Sequence, residues 1–308
     1  MSHSTVSSGA LVSAGFSAIE KTFTFNGFRY AAQLWGDEGG LPVIALHGWL
    51  DNSGSFATLA SQLPGVQCLA VDLAGHGLSD HKSGLDDYPI WTDISAIYAI
   101  ADSMGWQHFG LLGHSRGAMM ALLTAGTFPD RISHLVMIDA IMPPLVEQVG
   151  VIERIQKSIA EIGHRIERKA TIFDSRREAI VARCMSRFAP VSTTTAEQLA
   201  VRGLSESAGK YSWRADSKLW SLSAIGLSSE TLQAFVDNIV DAHVPSQLLL
   251  GDEGLVMKAP QELKEQSEAL ARQLSATVEV FNDGHFLHAE SAATEVAAAI
   301  KNFLVSPR

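Results

Sequence analysis

Gly110-Leu111-Leu112-Gly113-His114-Ser115-Arg116-Gly117-Ala118 is the stretch on which the fold is decided. An apolar run leads into Gly-x-Ser-x-Gly, and a helical pattern from Gly117 to Thr127 follows. A strand that turns sharply into a helix crowds its own backbone, and glycines leave out Cβ atoms where the crowding is worst. Ser115 is forced into a strained, exposed position at the helix N-terminus, near amide donors able to hold an oxyanion. Set between a strand and a helix, the pattern points to a nucleophile rather than to a plain turn serine.

Outward from this stretch, short and nearly continuous apolar segments recur at Val43 to Leu46, Cys68 to Val71, Leu135 to Ile138, Gln247 to Leu250 and Thr277 to Phe281. Such runs suit strands buried on both faces of a parallel sheet. Ahead of them, Thr22 to Phe25 and Arg29 to Leu34 flank Asn26-Gly27, a hairpin signal. Helical patterns lie between, at Ser55 to Ser61, Trp91 to Met104, Gln261 to Leu274 and Ala292 to Phe303. The alternation implies βαβ units and a doubly wound sheet. It lapses from about Pro143 to Ala242, where the text is helical and more charged, with no convincing strand. There Ile152, Ile155, Ile159, Ile162 and Ile166 form one amphipathic stripe. Val151 to Pro190 holds 9 Lys/Arg against 5 Asp/Glu, either a solvated helix face or a lid that attracts anionic substrates. The expected organisation is a flexible N-terminal arm over 1–15, a core over 16–142 and 243–308, and a helical cap over 143–242.

The composition agrees with one large α/β domain. In 308 residues, 46% are apolar and 18% charged, which excludes a disordered or fibrous chain. The net charge of −10 opposes binding to nucleic acid or anionic lipid, so the expected partner is a small-molecule substrate, with no nucleic acid and no membrane. Cys68 and Cys184 sit in no metal-like spacing, and a reducing, cytoplasmic setting is the simplest reading. Met1 to Gly15 lacks Lys and Arg and has no sustained apolar core, which makes it a poor signal peptide.

Three further loops follow apolar strands. In His47-Gly48-Trp49-Leu50-Asp51-Asn52, the Trp49 amide is placed to pair with the Arg116 amide as an oxyanion hole, and His47 reads as a packed, hydrogen-bonded imidazole. Asp72-Leu73-Ala74-Gly75-His76-Gly77-Leu78-Ser79 lacks the third glycine of a dinucleotide loop, since Asp80 holds that place, and reads as a tight structural turn. In Asn282-Asp283-Gly284-His285-Phe286, His285 is placed to reach Ser115 as the base, with His288 as the rival. No histidine spacing suits a metal, so no metal and no cofactor are expected.

Together these motifs resemble the α/β-hydrolase superfamily, and more closely the serine hydrolase-like proteins and related bacterial carboxylesterases. The resemblance implies an α/β-hydrolase fold: a mostly parallel, eight-stranded, doubly wound sheet with a helical cap inserted after the sixth strand, the one ending at Ile138. It implies hydrolysis of carboxylic esters through a serine acyl-enzyme, without a cofactor. Haloalkane dehalogenases and epoxide hydrolases carry Asp where this chain has Ser115, which disfavours their chemistry. Thioester or carbon–carbon bond hydrolysis is the alternative, and a ligand sensor without turnover is the rival from another class. Arg116 departs from the apolar residue frequent in relatives and sets a charge beside the nucleophile.

The acid has two candidate positions. Many α/β-hydrolases place it in a Gly-x-x-Asp turn after the seventh strand, which here reads Gly251-Asp252-Glu253-Gly254, with glycine at the expected position. Asp139 sits at the tip of the sixth strand, where catalytic groups of open α/β sheets gather. A subgroup of haloalkane dehalogenases resembles this arrangement. The expected triad is Ser115, Asp139 and His285, with Asp252 as the competing acid.

Overall fold

The computed structural model describes residues 7–10, 18–143, 145, 150–167, 170–186, 189–221, 223 and 226–305. Its main sheet contains β1 (Ser7–Ala10), β2 (Ile19–Phe25), β3 (Phe28–Trp35), β4 (Leu41–Leu46), β5 (Val66–Val71), β6 (Phe109–His114), β7 (Ile132–Ile138), β10 (Ser246–Gly251) and β11 (Thr277–Phe281), in the spatial order β1-β2-β3-β5-β4-β6-β7-β10-β11. The three pairings from β1 to β5 are antiparallel and the rest are parallel. The eight expected strands are joined by a ninth, β1, inside the stretch expected to be a loose arm. Ser-Ser-Gly-Ala has no apolar alternation to announce a strand, and it pairs with the free edge of β2.

The hairpin between β2 and β3 turns at Asn26 and Gly27, both with positive φ, as the two-residue signal requires. Side chains along the central strands alternate between two cores. Ile44, Leu46, Leu111, Leu135 and Met137 join one with Ile97 of α2 (Ile94–Ser103), Leu122 of α3 (Arg116–Thr127) and Leu270 of α8 (Gln261–Gln273). Val43, Ala45, Leu112, Val136 and Ile138 join the other with Leu59 of α1 (Ala57–Ala60) and Val296 and Ile300 of α9 (Ala293–Val305). Both faces are covered, which is why these strands read as unbroken apolar runs.

Between β7 and β10 run α4 (Val151–Glu167), α5 (Arg176–Cys184), α6 (Thr193–Gly203) and α7 (Ser229–Asp241). Within the isoleucine stripe of α4, Ile162 is buried while Ile152 and Ile159 face solvent; the side chain of Ile166 lies outside the described residues. The insertion is not purely helical. β8 (Leu204–Ser207) and β9 (Lys210–Trp213) form a two-stranded ladder closed by Ala208 and Gly209, both with positive φ. Alanine seldom takes that conformation, so Ala-Gly gave little warning of a hairpin. Two arginines tie the insertion to the sheet: Arg202 of α6 pairs with Asp72, just past β5, and with Glu20 of β2, and Arg183 of α5 pairs with Asp51, past β4. Among the described residues no helix is long and apolar enough to cross a membrane.

Parallel strands spread in both directions from β4, with β5 on one side and β6 on the other. The crevice outside the carboxyl ends of β4 and β6 is therefore where an open α/β sheet binds ligands. The loops after β4, β6, β7 and β11 meet there.

Candidate active site

Ser115 occupies the single residue between β6 and α3, with φ 52° and ψ −121°. This left-handed backbone is held from both sides: the Ser115 amide donates to the Ile138 carbonyl, and the Ser115 carbonyl accepts from the Ala118 amide. Neither neighbouring glycine tolerates a side chain. A Cβ at Gly113 would collide with Gly117 and Ala118, and one at Gly117 with the Leu46 carbonyl at the end of β4.

Asp139 directly follows β7, again with a positive φ of 47°. Its fully buried carboxylate accepts from His285 Nδ1 at 2.6 Å and from the Leu255 amide at 2.7 Å, both on Oδ2. With Nδ1 donating to Asp139, the other ring nitrogen of His285 is left as an acceptor. The geometry also explains the glycine in the turn after β10. A Cβ at Gly254 would fall on the Asp139 carboxylate, so the space beside the position expected to carry the acid is taken by a carboxylate from the end of β7. Asp252 is exposed and accepts from the Asp283 amide, which braces the loop carrying His285.

His285 is fixed through its main chain as well. Its carbonyl accepts from His114 Nε2 at 2.9 Å, and the two rings lie 4.5 Å apart. His114 is the residue before Ser115, so this contact joins the histidine loop to the serine turn. Ser115 and His285 make no direct hydrogen bond among the described residues; such bonds are often long before substrate binds. Burial, with His288 and His285 close by, holds the His114 pKa well below its ordinary value. His288 is buried against Phe56 and His114, finds no hydrogen-bond partner among the described residues at either ring nitrogen, and is pushed down to about 3 by burial and then by His285. Of the two histidines, it is His285 that bonds Asp139.

On the opposite side, the loop after β4 carries Trp49. Its indole donates to the Leu219 carbonyl at 2.9 Å and packs edge-on against Trp220, so a residue of the insertion fixes this turn. His47 uses both ring nitrogens, Nδ1 on the Gly48 carbonyl and Nε2 on the Leu73 amide, as a packed imidazole should. Asp72 accepts from the Ser53 and Leu78 amides and organises the tight turn around Gly75 to Ser79. Arg116 begins α3, and its side chain leaves the nucleophile to bond the Tyr88 carbonyl; burial opposes its charge, while Asp93 and Asp87 support it. The charge set beside Ser115 in sequence is thus directed elsewhere in space.

A cavity of about 160 Å³ opens beside the serine, lined by Ser115, Met119, Asp139, Met142, Leu255 and Leu263 among others. Among the described residues no cluster of His, Cys, Asp or Glu suits a metal ion. Sequence reading had no signal for the Leu255 amide, for the cavity wall, or for the Tyr88–Asp216 hydrogen bond that joins the 82–93 segment to the insertion.

Comparison with known proteins bears on the fold and the family. A sequence model of the alpha/beta hydrolase fold matches residues 42–157. The human serine hydrolase-like protein is 40% identical over 110 residues, which are 35% of this chain and 54% of that protein. The match thus spans about half the length of that relative, and 35% and 34% of human serine hydrolase-like protein 2 and a probable serine hydrolase of Drosophila melanogaster. The crystal structure of a hypothetical protein from Pseudomonas aeruginosa PAO1 superimposes with a TM-score of 0.83 at 32% identity, over 92% of this chain and 97% of that one. A thioesterase domain from the curacin biosynthetic pathway shares the fold, with a TM-score of 0.78 at 22% identity over 94% and 99% of the two chains. Strand order, serine turn and relatives lead to one conclusion: this chain belongs to the alpha/beta hydrolase fold family.

Proposed function

We propose that the protein is a serine-dependent carboxylic ester hydrolase that works through an acyl-enzyme. The observation that carries the reading is the 2.6 Å bond from His285 Nδ1 to a fully buried Asp139, on a loop pinned to the strained Ser115 turn through His114. That bond fixes the imidazole tautomer and leaves Nε2 to act as the base. In the first half-reaction Ser115 Oγ bonds to the acyl carbon while its proton passes to His285 Nε2. Asp139 stabilises the imidazolium, and the Trp49 and Arg116 amides hold the oxyanion. The carbon–oxygen bond to the alcohol then breaks, and the alcohol leaves with the proton from Nε2. Water enters, gives its proton to His285 and attacks the acyl carbon. The acid departs as Ser115 recovers its proton.

The reading extends to a cytoplasmic enzyme with a small-molecule ester as its partner, neither nucleic acid nor membrane being required, and with 143–242 as a cap over the site. The net charge of −10 and two free cysteines support it. The test is turnover of p-nitrophenyl butanoate by the purified protein beside thioester and diketone substrates. Steady turnover that disappears in Ser115→Ala, with a butanoyl adduct on Ser115 in a rapidly quenched mass spectrum, is the expected result. A single stoichiometric burst would make the protein a sensor, and preferred turnover of the diketone would move it to carbon–carbon hydrolysis.

A further inference from the structure

The cavity beside Ser115 has a shape and polarity of its own. We infer that it is the acyl pocket and that it selects an uncharged aliphatic acyl group of about six carbons or fewer; this rests on the esterase reading above. Met119 comes from α3, one turn past Ser115, Ile141 and Met142 follow Asp139, and Val256 and Ala259 come from the segment after β10. Ser267 and Leu263 lie one turn apart on α8, Leu263 at the half-exposed rim.

The charge of the acyl group follows from this wall. Asp139 is its sole charged member among the described residues, and His285 and Leu255 already engage that carboxylate. Among the described residues no cation lines it to hold a second carboxylate on the substrate, and an unpaired charge would be costly to bury there. The size follows from the volume. An apolar cavity of about 150 Å³ holds a six-carbon ring, and this one measures about 160 Å³ before it opens to solvent past Leu263. Two methionines let the wall adjust to chains of different shape.

The assignment to the acyl half rests on which residues form the wall. Ser115 is part of it, and the acyl group stays bonded to Ser115 after the alcohol has gone. His285, which returns a proton to the departing alcohol, is not part of it. The alcohol therefore leaves toward His285, and the acyl chain lies in the cavity.

p-Nitrophenyl esters from acetyl to dodecanoyl test this directly. Each methylene that enters the cavity should raise kcat/KM about fourfold, with the rise ending near six carbons. Ala259→Phe, which fills the cavity, should move the optimum toward acetyl, and Leu263→Ala, at its half-exposed rim, should move it to longer chains. A profile that is flat or still rising at dodecanoyl, or an optimum that neither variant moves, overturns the proposal. So does a parallel series of n-alkyl acetates in which the variants shift alcohol preference instead.

A second arm needs no turnover. Binding of 2-alkanones, from butanone to 2-dodecanone, to Ser115→Ala should show the same length optimum by calorimetry. That optimum, found together with no ester turnover in the wild type, removes the esterase reading and leaves the pocket's selectivity standing. Ketones that bind without length dependence overturn the pocket whatever the esters do.

Discussion

Moving the acid from β7 to β10 tests the site most sharply. A Cβ at position 254 would lie on the Asp139 carboxylate, yet Gly254 does not have a left-handed backbone, so the carboxylate is the main obstacle to a side chain there. Gly254→Asp alone should overfill the site by about 1–3 kcal/mol and set two carboxyl groups against each other. Asp139→Gly alone relieves a left-handed aspartate but removes the partner of His285 Nδ1, and should cut kcat by about 10²- to 10⁴-fold. In the double variant the space vacated by Asp139 receives the carboxylate introduced at position 254, whose Cβ starts where the lost carboxylate stood. It should recover at least tenfold in kcat over Asp139→Gly, a coupling of about 1.4 kcal/mol or more. The assay is p-nitrophenyl butanoate turnover at fixed pH, with thermal melts to establish folding. A folded double variant no more active than Asp139→Gly, with Gly254→Asp harmless by itself, would refute the reasoning.

Other substitutions probe the same network. Asp252→Asn should change kcat less than about tenfold, and Asp139→Asn about 10²- to 10⁴-fold; the reverse order would assign the acid to the turn after β10. Ser115→Ala and His285→Ala should each cost about 10⁴-fold or more in kcat, and the double variant little beyond either, because both act in one step. His288 is neutral when folded and takes up a proton on unfolding at any pH between about 6.5 and 3, so its burial costs stability progressively as pH falls through that window. His288→Phe should lower the acid-unfolding midpoint while leaving kcat at pH 8 within about threefold; a loss equal to that of His285→Ala would make His288 the base. Burial raises the Asp72 carboxyl, but the charge and hydrogen bonds of Arg202 outweigh it and hold the pKa low, so this stability is present above about pH 4 and is lost below it. Arg202→Met strands that carboxylate and should cost about 3–5 kcal/mol at pH 7, roughly 10 °C in Tm, with the gap to the wild type narrowing toward pH 4.

What the sequence disclosed was local. The apolar runs of β4, β6 and β7 announced a sheet covered on both faces because each needs only its own residues to be recognised. Gly113, Ser115 and Gly117 announced the crowded strand-to-helix turn for the same reason. Gly254 was legible as a gap in an expected pattern, but its cause lies 115 positions away, in the carboxylate it makes room for. The links from Arg202 to Asp72 and Glu20 cross 130 and 182 positions, and no local pattern carries such a pairing. The β8–β9 hairpin stayed hidden because Ala208 takes a backbone that its residue type disfavours.

The position of the acid and the character of the cavity have a common origin. Were the carboxylate supplied from position 254, the turn after β10 would be committed to holding a side chain toward His285. Because Asp139 supplies it from β7, this turn contributes a backbone amide through Leu255, which fixes the carboxylate without using a side chain. The side chains of Leu255, Val256 and Ala259 are then free to form cavity wall. Asp139 thereby lies at the meeting point of the histidine loop and the cavity. A substitution at 256–259 should accordingly change acyl preference through its side chain, while a proline at 255, which removes the amide donor as well as a piece of the wall, should lower kcat at every chain length, acetyl included. A loss that reaches even the acetyl ester for Leu255→Pro, against a change confined to the longer chains for Ala259→Phe in variants of matched melting temperature, is the pattern that this division of labour demands.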